Sequence, residues 1–235
     1  MDARSLHRSE FSNAKFDAGW TLGFETPPER AARGKMLSFS ARGTILDEGD
    51  PASSAYEVLE GGVILFKLLP DGRRQIIEVL GPGDVFGLSP TAYSDVGAEA
   101  LTRVRVAVLD RRALEADAEL RDRLFARLRA QICALHDHAL LLGRKSARER
   151  VATFIMRLIP GRGGVACAGP GKGEGPLEVP LAMTRQEIAD YLGLTLETVS
   201  RAFSGLRRDG VIAYDRQDLV RIASVCPLCR LTGSQ

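Results

Sequence analysis

The feature that most constrains this fold is a pair of short helices predicted within residues 183–208. Thr184 and Glu187 have the spacing of a capping box, in which each side chain binds the backbone amide of the other residue at a helix start. Gly193 ends that helix, because glycine readily adopts the left-handed conformation found after a helix, and Thr195 can cap a second helix. Two helices joined by a tight turn with glycine are typical of a helix-turn-helix.

The second predicted helix is amphipathic, and a hairpin follows it. Its apolar face carries Val199, Ala202, Phe203 and Leu206. Residues 211–214 and 219–222 are short apolar runs joined by polar residues, so they predict two paired strands. A helix-turn-helix followed by such a hairpin is a winged helix.

The polar face of the second helix suits the edges of DNA bases. Glu197, Ser200 and Arg201 are spaced i, i+3 and i+4, so they project from one side of the helix. Glutamate can accept a hydrogen bond from cytosine, arginine can donate two to guanine, and serine can do either. The alternative is a surface Glu–Arg pair worth roughly a few tenths of a kcal/mol. The capped helices and the wing around these residues favour binding to double-stranded DNA.

The charge of the chain is divided unevenly. The net charge is +2, but residues 1–143 carry 18 Lys and Arg against 21 Asp and Glu, whereas residues 144–221 carry 13 against 9. A basic C-terminal third is suited to a nucleic acid. Thr184, Arg185 and Thr195 lie at helix N-termini, where backbone amides and the helix dipole attract anions, so we expect them to contact DNA phosphates.

Residues 36–110 predict short strands separated by glycine and proline turns. The predicted strands are 56–59, 63–69, 75–80, 98–102 and 104–109. Short strands at about ten-residue spacing indicate a sandwich or a barrel. Residues 67–73 have the composition of a hairpin tip.

Residues 111–143 predict a long helix with a heptad pattern. The a and d positions are Phe125, Leu128, Ile132, Leu135, Ala139 and Leu142. Such a seam predicts a parallel homodimer, and the alternative is a helix packed on its own domain. A symmetric dimer predicts a palindromic DNA site with half-sites about one turn apart. His136 and His138 flank the seam, where we expect solvent or the dimer interface.

The pattern divides the chain into five segments. They are a mobile arm (1–21), a β-domain (22–110) that the resemblance given below implies to be a β-roll, the dimerisation helix (111–143), the winged helix-turn-helix domain (144–222) and a C-terminal tail (223–235). The winged-helix segment opens with a predicted helix at 144–159, followed by a glycine-rich loop at 161–176. The fold class is therefore α+β.

The four cysteines are too few for a disulfide framework. Cys226 and Cys229 have the spacing of a metal knuckle, but a closed zinc site needs four ligands and the histidines lie elsewhere, so we expect no metal. Cys167, Cys226 and Cys229 remain candidates for oxidation, whereas Cys133 is expected to pack. No segment is long and apolar enough to span a bilayer and none resembles a secretion signal, which predicts a cytoplasmic protein without a membrane partner.

These segments together resemble the CRP/FNR superfamily of bacterial transcription regulators over residues 35–222. Residues 48–88, EGDPASSAYEVLEGGVILFKLLPDGRRQIIEVLGPGDVFGL, resemble its cyclic-nucleotide-binding-like β-roll. Residues 192–201, LGLTLETVSR, carry the Glu-x-x-Ser-Arg pattern of the FNR and FixK branch, whose members recognise inverted repeats close to TTGAT-N4-ATCAA. Residues 140–145, LLLGRK, are similar to FixK within that branch.

The resemblance implies a homodimeric activator of low-oxygen respiration or nitrogen metabolism that bends DNA and contacts RNA polymerase, with the hairpin at 69–74 as a candidate contact. Cyclic-AMP-binding relatives hold the phosphate with an Arg-Ser pair, but this chain has Gly87-Leu88-Ser89, and Glu99 would repel a phosphate. No cysteine precedes Cys133, so the cluster of FNR cannot form, and Met183 stands near where some FixK proteins have an oxidation-sensitive cysteine. We therefore expect no cofactor and effector-free DNA binding.

Two other interpretations stay open at this stage. One is a sensor of the same architecture that needs haem or a metabolite in the β-roll before it binds DNA. The other is a cyclic-nucleotide-binding module or an enzyme that carries one. The sequence has no nucleophile–base pair, phosphate-binding loop motif or metal-ligand set, so we expect no enzymatic activity.

Overall fold

The computed structural model describes residues 35–109, 117–159, 176–216 and 218–233, which divide into two compact units between residues 136 and 137. The predicted arm at 1–21, the glycine-rich loop at 161–175 and Cys167 lie outside the described residues.

The N-terminal unit is built on two four-stranded antiparallel sheets. Its strands are β1 (Met36–Phe39), β2 (Thr44–Leu46), β3 (Ala55–Glu60), β4 (Val63–Leu68), β5 (Arg74–Leu80), β6 (Val85–Phe86), β7 (Gly97–Ala100) and β8 (Val104–Leu109). The sheet orders are β1-β8-β3-β6 and β2-β7-β4-β5. Val58, Val63 and Val106 are fully buried in the core of this β-roll. All five predicted strands are confirmed, whereas β1, β2 and β6 have two to four residues and too little alternation to be predicted.

The hairpin predicted between β4 and β5 is confirmed. Leu69 N donates to Arg73 O and Gly72 N donates to Leu69 O, each over 2.8 Å. Gly72 has a φ of 84°, a left-handed conformation that favours glycine. Leu68 and Leu69 are left exposed beside this tip.

The long helix α1 spans Ala118–Arg144. The expected start at residue 111 lies outside the described residues. Near the beginning of the helix, Leu120 and Leu124 pack with Val85 and Leu109 of the β-roll. Two turns further, Gln131 accepts a hydrogen bond from Val85 N over 3.1 Å and donates one to Val85 O over 3.0 Å. The first half of α1 is therefore fixed on the β-roll by two kinds of contact. Apolar side chains pack at its beginning, and the Gln131 amide then binds both the N–H and the C=O of Val85.

In the C-terminal unit, the described residues form four shorter helices and a three-stranded sheet. They are α2 (Ala147–Arg157), β9 (Leu177–Pro180), α3 (Arg185–Leu192), α4 (Leu196–Arg208), β10 (Ile212–Ala213), β11 (Leu219–Ile222) and α5 (Val225–Arg230). The sheet order is β10-β11-β9, so the predicted wing hairpin is present and β9 adds a third strand to it. The core includes Phe154, Ile188, Leu192, Phe203 and Leu206.

Two boundaries of this unit differ from the prediction. The helix expected from residue 144 begins only at Ala147, because Ser146 and Glu149 form a capping box that the sequence analysis overlooked. The tail expected from residue 223 is wrong for the described residues up to 233. Val225 and Leu228 of α5 are buried, and α5 packs on α2.

Candidate nucleic-acid interface

The first helix of the pair, α3, begins and ends at the residues predicted from the sequence. Thr184 N donates to Glu187 Oε2 over 2.7 Å, and Glu187 N donates to Thr184 Oγ1 over 3.2 Å, which completes the predicted capping box. Gly193 follows the helix with a φ of 60°, and its amide donates to Ala189 O. A side chain at this φ is strained, so glycine permits the sharp turn into the next helix.

The second helix, α4, presents the three predicted base-reading residues on one exposed face. Thr195 Oγ1 accepts from Thr198 N over 3.2 Å, which confirms the predicted cap. The side chains of Glu197 and Arg201 are 75% and 70% exposed, and Ser200 is also exposed. Arg201 Nη1 lies 3.5 Å from Glu197 Oε1. Because surface ion pairs contribute little, both side chains are available to another partner at small cost.

Arg185 occupies a different environment from the one expected of an exposed phosphate contact. Its guanidinium carbon lies 3.3 Å from the centre of the Phe203 ring and 5.6 Å from that of Tyr214. Burial lowers the pKa of Arg185 from its ordinary value. Arg207 approaches the other aromatic neighbour, with 5.0 Å to the centre of the Tyr214 ring. The stack of Arg185 therefore joins α3 to α4 and to the wing.

Arg150 of α2 is a structural residue that the sequence analysis missed. Its Nη2 donates to Leu142 O over 2.6 Å, its Nε to Lys145 O over 2.9 Å, and its Nη1 to Leu192 O over 2.9 Å. The last carbonyls of a helix lack partners within that helix. One guanidinium thus binds carbonyls at the ends of both α1 and α3, and it fixes the start of the helix pair. The sequence carries no specific signal for this role, because Arg150 ends a charged run at residues 144–150 that also contains two other arginines.

His138 also differs from its expected place beside the seam. The side chain is 6% exposed and its ring stacks on Tyr191, with 4.2 Å between ring centres and 16° between ring planes. Burial, with the positive charges of Arg157 and Arg150, lowers the pKa of His138 to about 4. His136 is exposed, as expected. The end of α1 therefore contacts α3 through a neutral ring stack.

The predicted dimer seam forms an apolar stripe along α1. Phe125, Ile132 and Leu135 are 64%, 51% and 37% exposed, respectively. Ala139 is also exposed, Leu142 is half-buried, and Leu128 packs partly on the β-roll. The adjacent side of the helix, about a quarter turn away, carries its buried residues, namely Leu120, Leu124, Arg127, Gln131, His138 and Leu141. Within the described residues, α1 has one covered side and one uncovered apolar stripe.

The segments of the β-roll that would hold a cyclic phosphate have other partners in this chain. Glu99 Oε2 lies 3.0 Å from Arg74 Nη2, and both side chains are largely buried. Arg74 in turn lies over the Phe66 ring at 4.0 Å from its centre. Ser89 Oγ donates to the Tyr93 carbonyl over 2.7 Å. The carboxylate of Glu99 and the hydroxyl of Ser89 are therefore both engaged by partners within the roll.

Cys133 is exposed on α1, so the expectation that it packs is wrong. Cys226 and Cys229 are half-buried in α5. Among the described residues, no three His, Cys, Asp or Glu side chains are grouped as metal ligands. The helices that the structure describes are also too short or too polar to cross a membrane.

Comparisons with known proteins agree with this geometry. Residues 149–231 match the Crp-like helix-turn-helix domain, and residues 36–117 match the cyclic nucleotide-binding domain. The nitrogen fixation regulation protein FixK of Bradyrhizobium diazoefficiens is 40% identical over 188 residues, which cover 77% of this chain and 75% of the relative. The transcriptional activator protein FnrL of Cereibacter sphaeroides is 34% identical over 200 residues, 83% of this chain and 79% of the relative.

The solved structure of FixK2 from Bradyrhizobium japonicum has a similar fold. The two structures superpose with a TM-score of 0.72 and 34% sequence identity, and the alignment covers 87% of this chain and all of FixK2. The architecture of a β-roll, a long helix and a winged helix-turn-helix is thereby confirmed.

Proposed function

Because the chain belongs to the CRP/FNR family of transcription regulators, in its FixK-like branch, we propose that it binds a TTGAT-N4-ATCAA-like palindrome as a homodimer in the cytoplasm. The observation that carries this proposal is the free polar face of α4, with Glu197, Ser200 and Arg201 side by side in solvent. A carboxylate, a hydroxyl and a guanidinium at this spacing match base edges in the major groove.

Phosphate contacts hold the helix pair in register on the DNA in this proposal. The Thr184 and Thr195 hydroxyls and neighbouring amides lie at exposed helix N-termini, which suit anions. For Arg185, the stack on Phe203 supports a second role. The Arg185 stack orients α3 against α4 and the wing. It thereby keeps the phosphate-contacting residues of α3 in a fixed position relative to the base-reading face of α4.

A second copy of the chain covers the uncovered stripe of α1. The stripe repeats every seven residues, as a two-stranded coiled coil requires, and it runs beside the residues that pack on the β-roll. Phe125, Ile132 and Leu135 are large apolar side chains that a single chain leaves exposed to water. Exposed apolar patches of this kind mark protein interaction sites. A parallel pair also places two recognition helices on a palindrome.

The proposed biological role follows the relatives. Proteins named FixK regulate nitrogen fixation, and FnrL is a transcriptional activator. We assign this chain to activation of low-oxygen respiration or nitrogen-metabolism genes, through RNA polymerase rather than through an enzymatic activity. The exposed Leu68 and Leu69 at the β4–β5 hairpin support the proposed polymerase contact at 69–74.

The base-reading assignment is tested by Glu197→Ala and Arg201→Ala. Each variant should lose about 1–3 kcal/mol of binding to the palindrome and should tolerate changes at one base pair of each half-site. Affinities are measured at one salt concentration against the palindrome, single-substituted palindromes and a scrambled duplex. Arg208→Ala, further along α4, should change no base preference. Equal losses on the palindrome and the scrambled duplex would show that these side chains do not read bases.

A further inference from the structure

Two cysteine thiols in α5 take no part in the proposed DNA binding. Cys226 and Cys229 are three residues apart in one helix, and neither of them is in a disulfide bond in the structure. In an α-helix, two Cα atoms at this spacing are about 5 Å apart. The Cα atoms of disulfides are usually roughly 4.4–6.8 Å apart, so the backbone already places the two residues within bonding range.

The helix holds this pair at the surface of the C-terminal unit. Val225 and Leu228 are buried at 5% and 0% exposure and fix α5 on α2, whereas the two cysteines are partly exposed. Thr232 is 4% exposed and its hydroxyl donates to Cys229 O over 2.7 Å, which closes the end of the helix. The thiols are thus adjacent, accessible to a small oxidant and mounted on a fixed helix.

We propose that Cys226 and Cys229 form a dithiol modification site that closes reversibly to an intramolecular disulfide with hydrogen peroxide. The peroxide oxidises one thiol to a sulfenic acid and is reduced to water. The second thiolate attacks the sulfenic sulfur, the S–S bond forms, and the hydroxyl leaves with the remaining proton as a second water. Two thiols and one peroxide therefore give one disulfide and two waters.

The site uses none of the residues assigned to base reading or to the α1 stripe, and it does not depend on the proposed function. Cys133 offers an internal comparison, because it is exposed and has no cysteine near it in sequence. A lone thiol has no neighbour to resolve its sulfenic acid, so it proceeds to higher oxides or stays trapped.

The test uses the full-length wild-type protein and its peptides. Cleavage after arginine releases residues 222–230, IASVCPLCR, which contain both thiols and no other cysteine. After brief exposure to about one equivalent of peroxide and alkylation of free thiols, this peptide should be two hydrogens lighter and unalkylated. Dithiothreitol should restore alkylation at both positions. The Cys133 peptide should instead carry the alkyl group or a sulfur oxide.

Single variants control the chemistry. Cys226→Ser and Cys229→Ser should each leave a sulfenic acid that dimedone captures, with no loss of two hydrogens. Circular dichroism should show that both variants are folded. A wild-type peptide 222–230 that carries only sulfinic or sulfonic acid, or that is linked to a second chain on non-reducing gels, would overturn the proposal. The proposal would also be overturned if both cysteines of peptide 222–230 were still alkylated under conditions in which peroxide had already oxidised the Cys133 thiol.

Discussion

At the scale of single residues, Arg150 shows how one side chain can position a binding surface that it does not touch. Its three hydrogen bonds end on carbonyls of Leu142, Lys145 and Leu192, at the ends of two helices. A charged hydrogen bond contributes more than a neutral one, and removing a shared donor leaves several carbonyls without a partner. The orientation of α3 therefore depends on a residue of α2.

Arg150→Ala should destabilise the C-terminal unit by about 3 kcal/mol, because three charged hydrogen bonds are lost together. Arg148→Ala is the matched control two residues away. Among the described residues, the Arg148 side chain is paired with Asp209 alone, and both side chains are about half exposed, so its loss should cost less than about 1 kcal/mol. Urea denaturation measures both free energies of unfolding. Similar values for the two variants would contradict the role assigned to Arg150.

His138 gives the folded chain a defined acid sensitivity. Its pKa is about 4 when folded, against about 6.5 when unfolded, because burial and Arg157 disfavour the charged ring. Between these values the unfolded chain binds a proton that the folded chain does not. Stability therefore falls as pH decreases from about 6.5 towards 4.

His138→Phe should remove this dependence while it keeps an aromatic ring on Tyr191. Between pH 7 and pH 5, the wild type should lose about 2 kcal/mol more stability than the variant. His136→Phe, at an exposed position two residues earlier, should behave as the wild type does. The comparison uses denaturant midpoints at each pH. Parallel curves for the wild type and His138→Phe would refute a buried neutral histidine.

At the scale of elements, α1 has two sides with different partners. Leu120, Leu124 and Gln131 fix one side on the β-roll. The stripe of Phe125, Ile132 and Leu135 remains uncovered in a single chain. The periodicity of the sequence predicted the stripe, but only the structure shows which side packs within the chain.

Leu135→Glu should convert the dimer to a monomer, because it would place two carboxylates against each other in an apolar seam. The monomer should bind the palindrome poorly. Leu140→Glu is the matched control, since Leu140 is 57% exposed on the same helix but lies outside the a and d positions. Light scattering gives the mass of each variant. A dimeric Leu135→Glu protein would exclude this seam.

Elements with strong local signals were predictable from the sequence, and weakly signalled ones were not. The caps at Thr184 and Thr195 and the turn at Gly193 depend on neighbouring residues, and all three are confirmed. In contrast, β9 has only two apolar residues and takes its position from pairing with β11. Helix α5 has six residues, and its burial on α2 decides its structure. The positions of Arg150 and His138 likewise depend on contacts distant in sequence.

At the scale of the whole molecule, the chain combines a β-roll unit and a DNA-binding unit on one long helix. The net charge of +2 hides an acidic N-terminal part and a basic region from 144 to 221. In the roll, Glu99 is paired with Arg74 and Ser89 with the Tyr93 carbonyl, so the segments that would hold a cyclic phosphate already have partners within the chain. We therefore expect sequence-specific DNA binding without an effector.

The most direct test is a titration of the purified, reduced protein against a labelled TTGAT-N4-ATCAA duplex and a scrambled duplex. Salt is fixed at about 150 mM, because affinity for DNA depends steeply on salt. We expect the protein to bind the palindrome at least about a thousandfold more tightly than the scrambled duplex, with no added ligand. Weak binding to both duplexes would contradict effector-free binding and would indicate a sensor that needs haem or a metabolite.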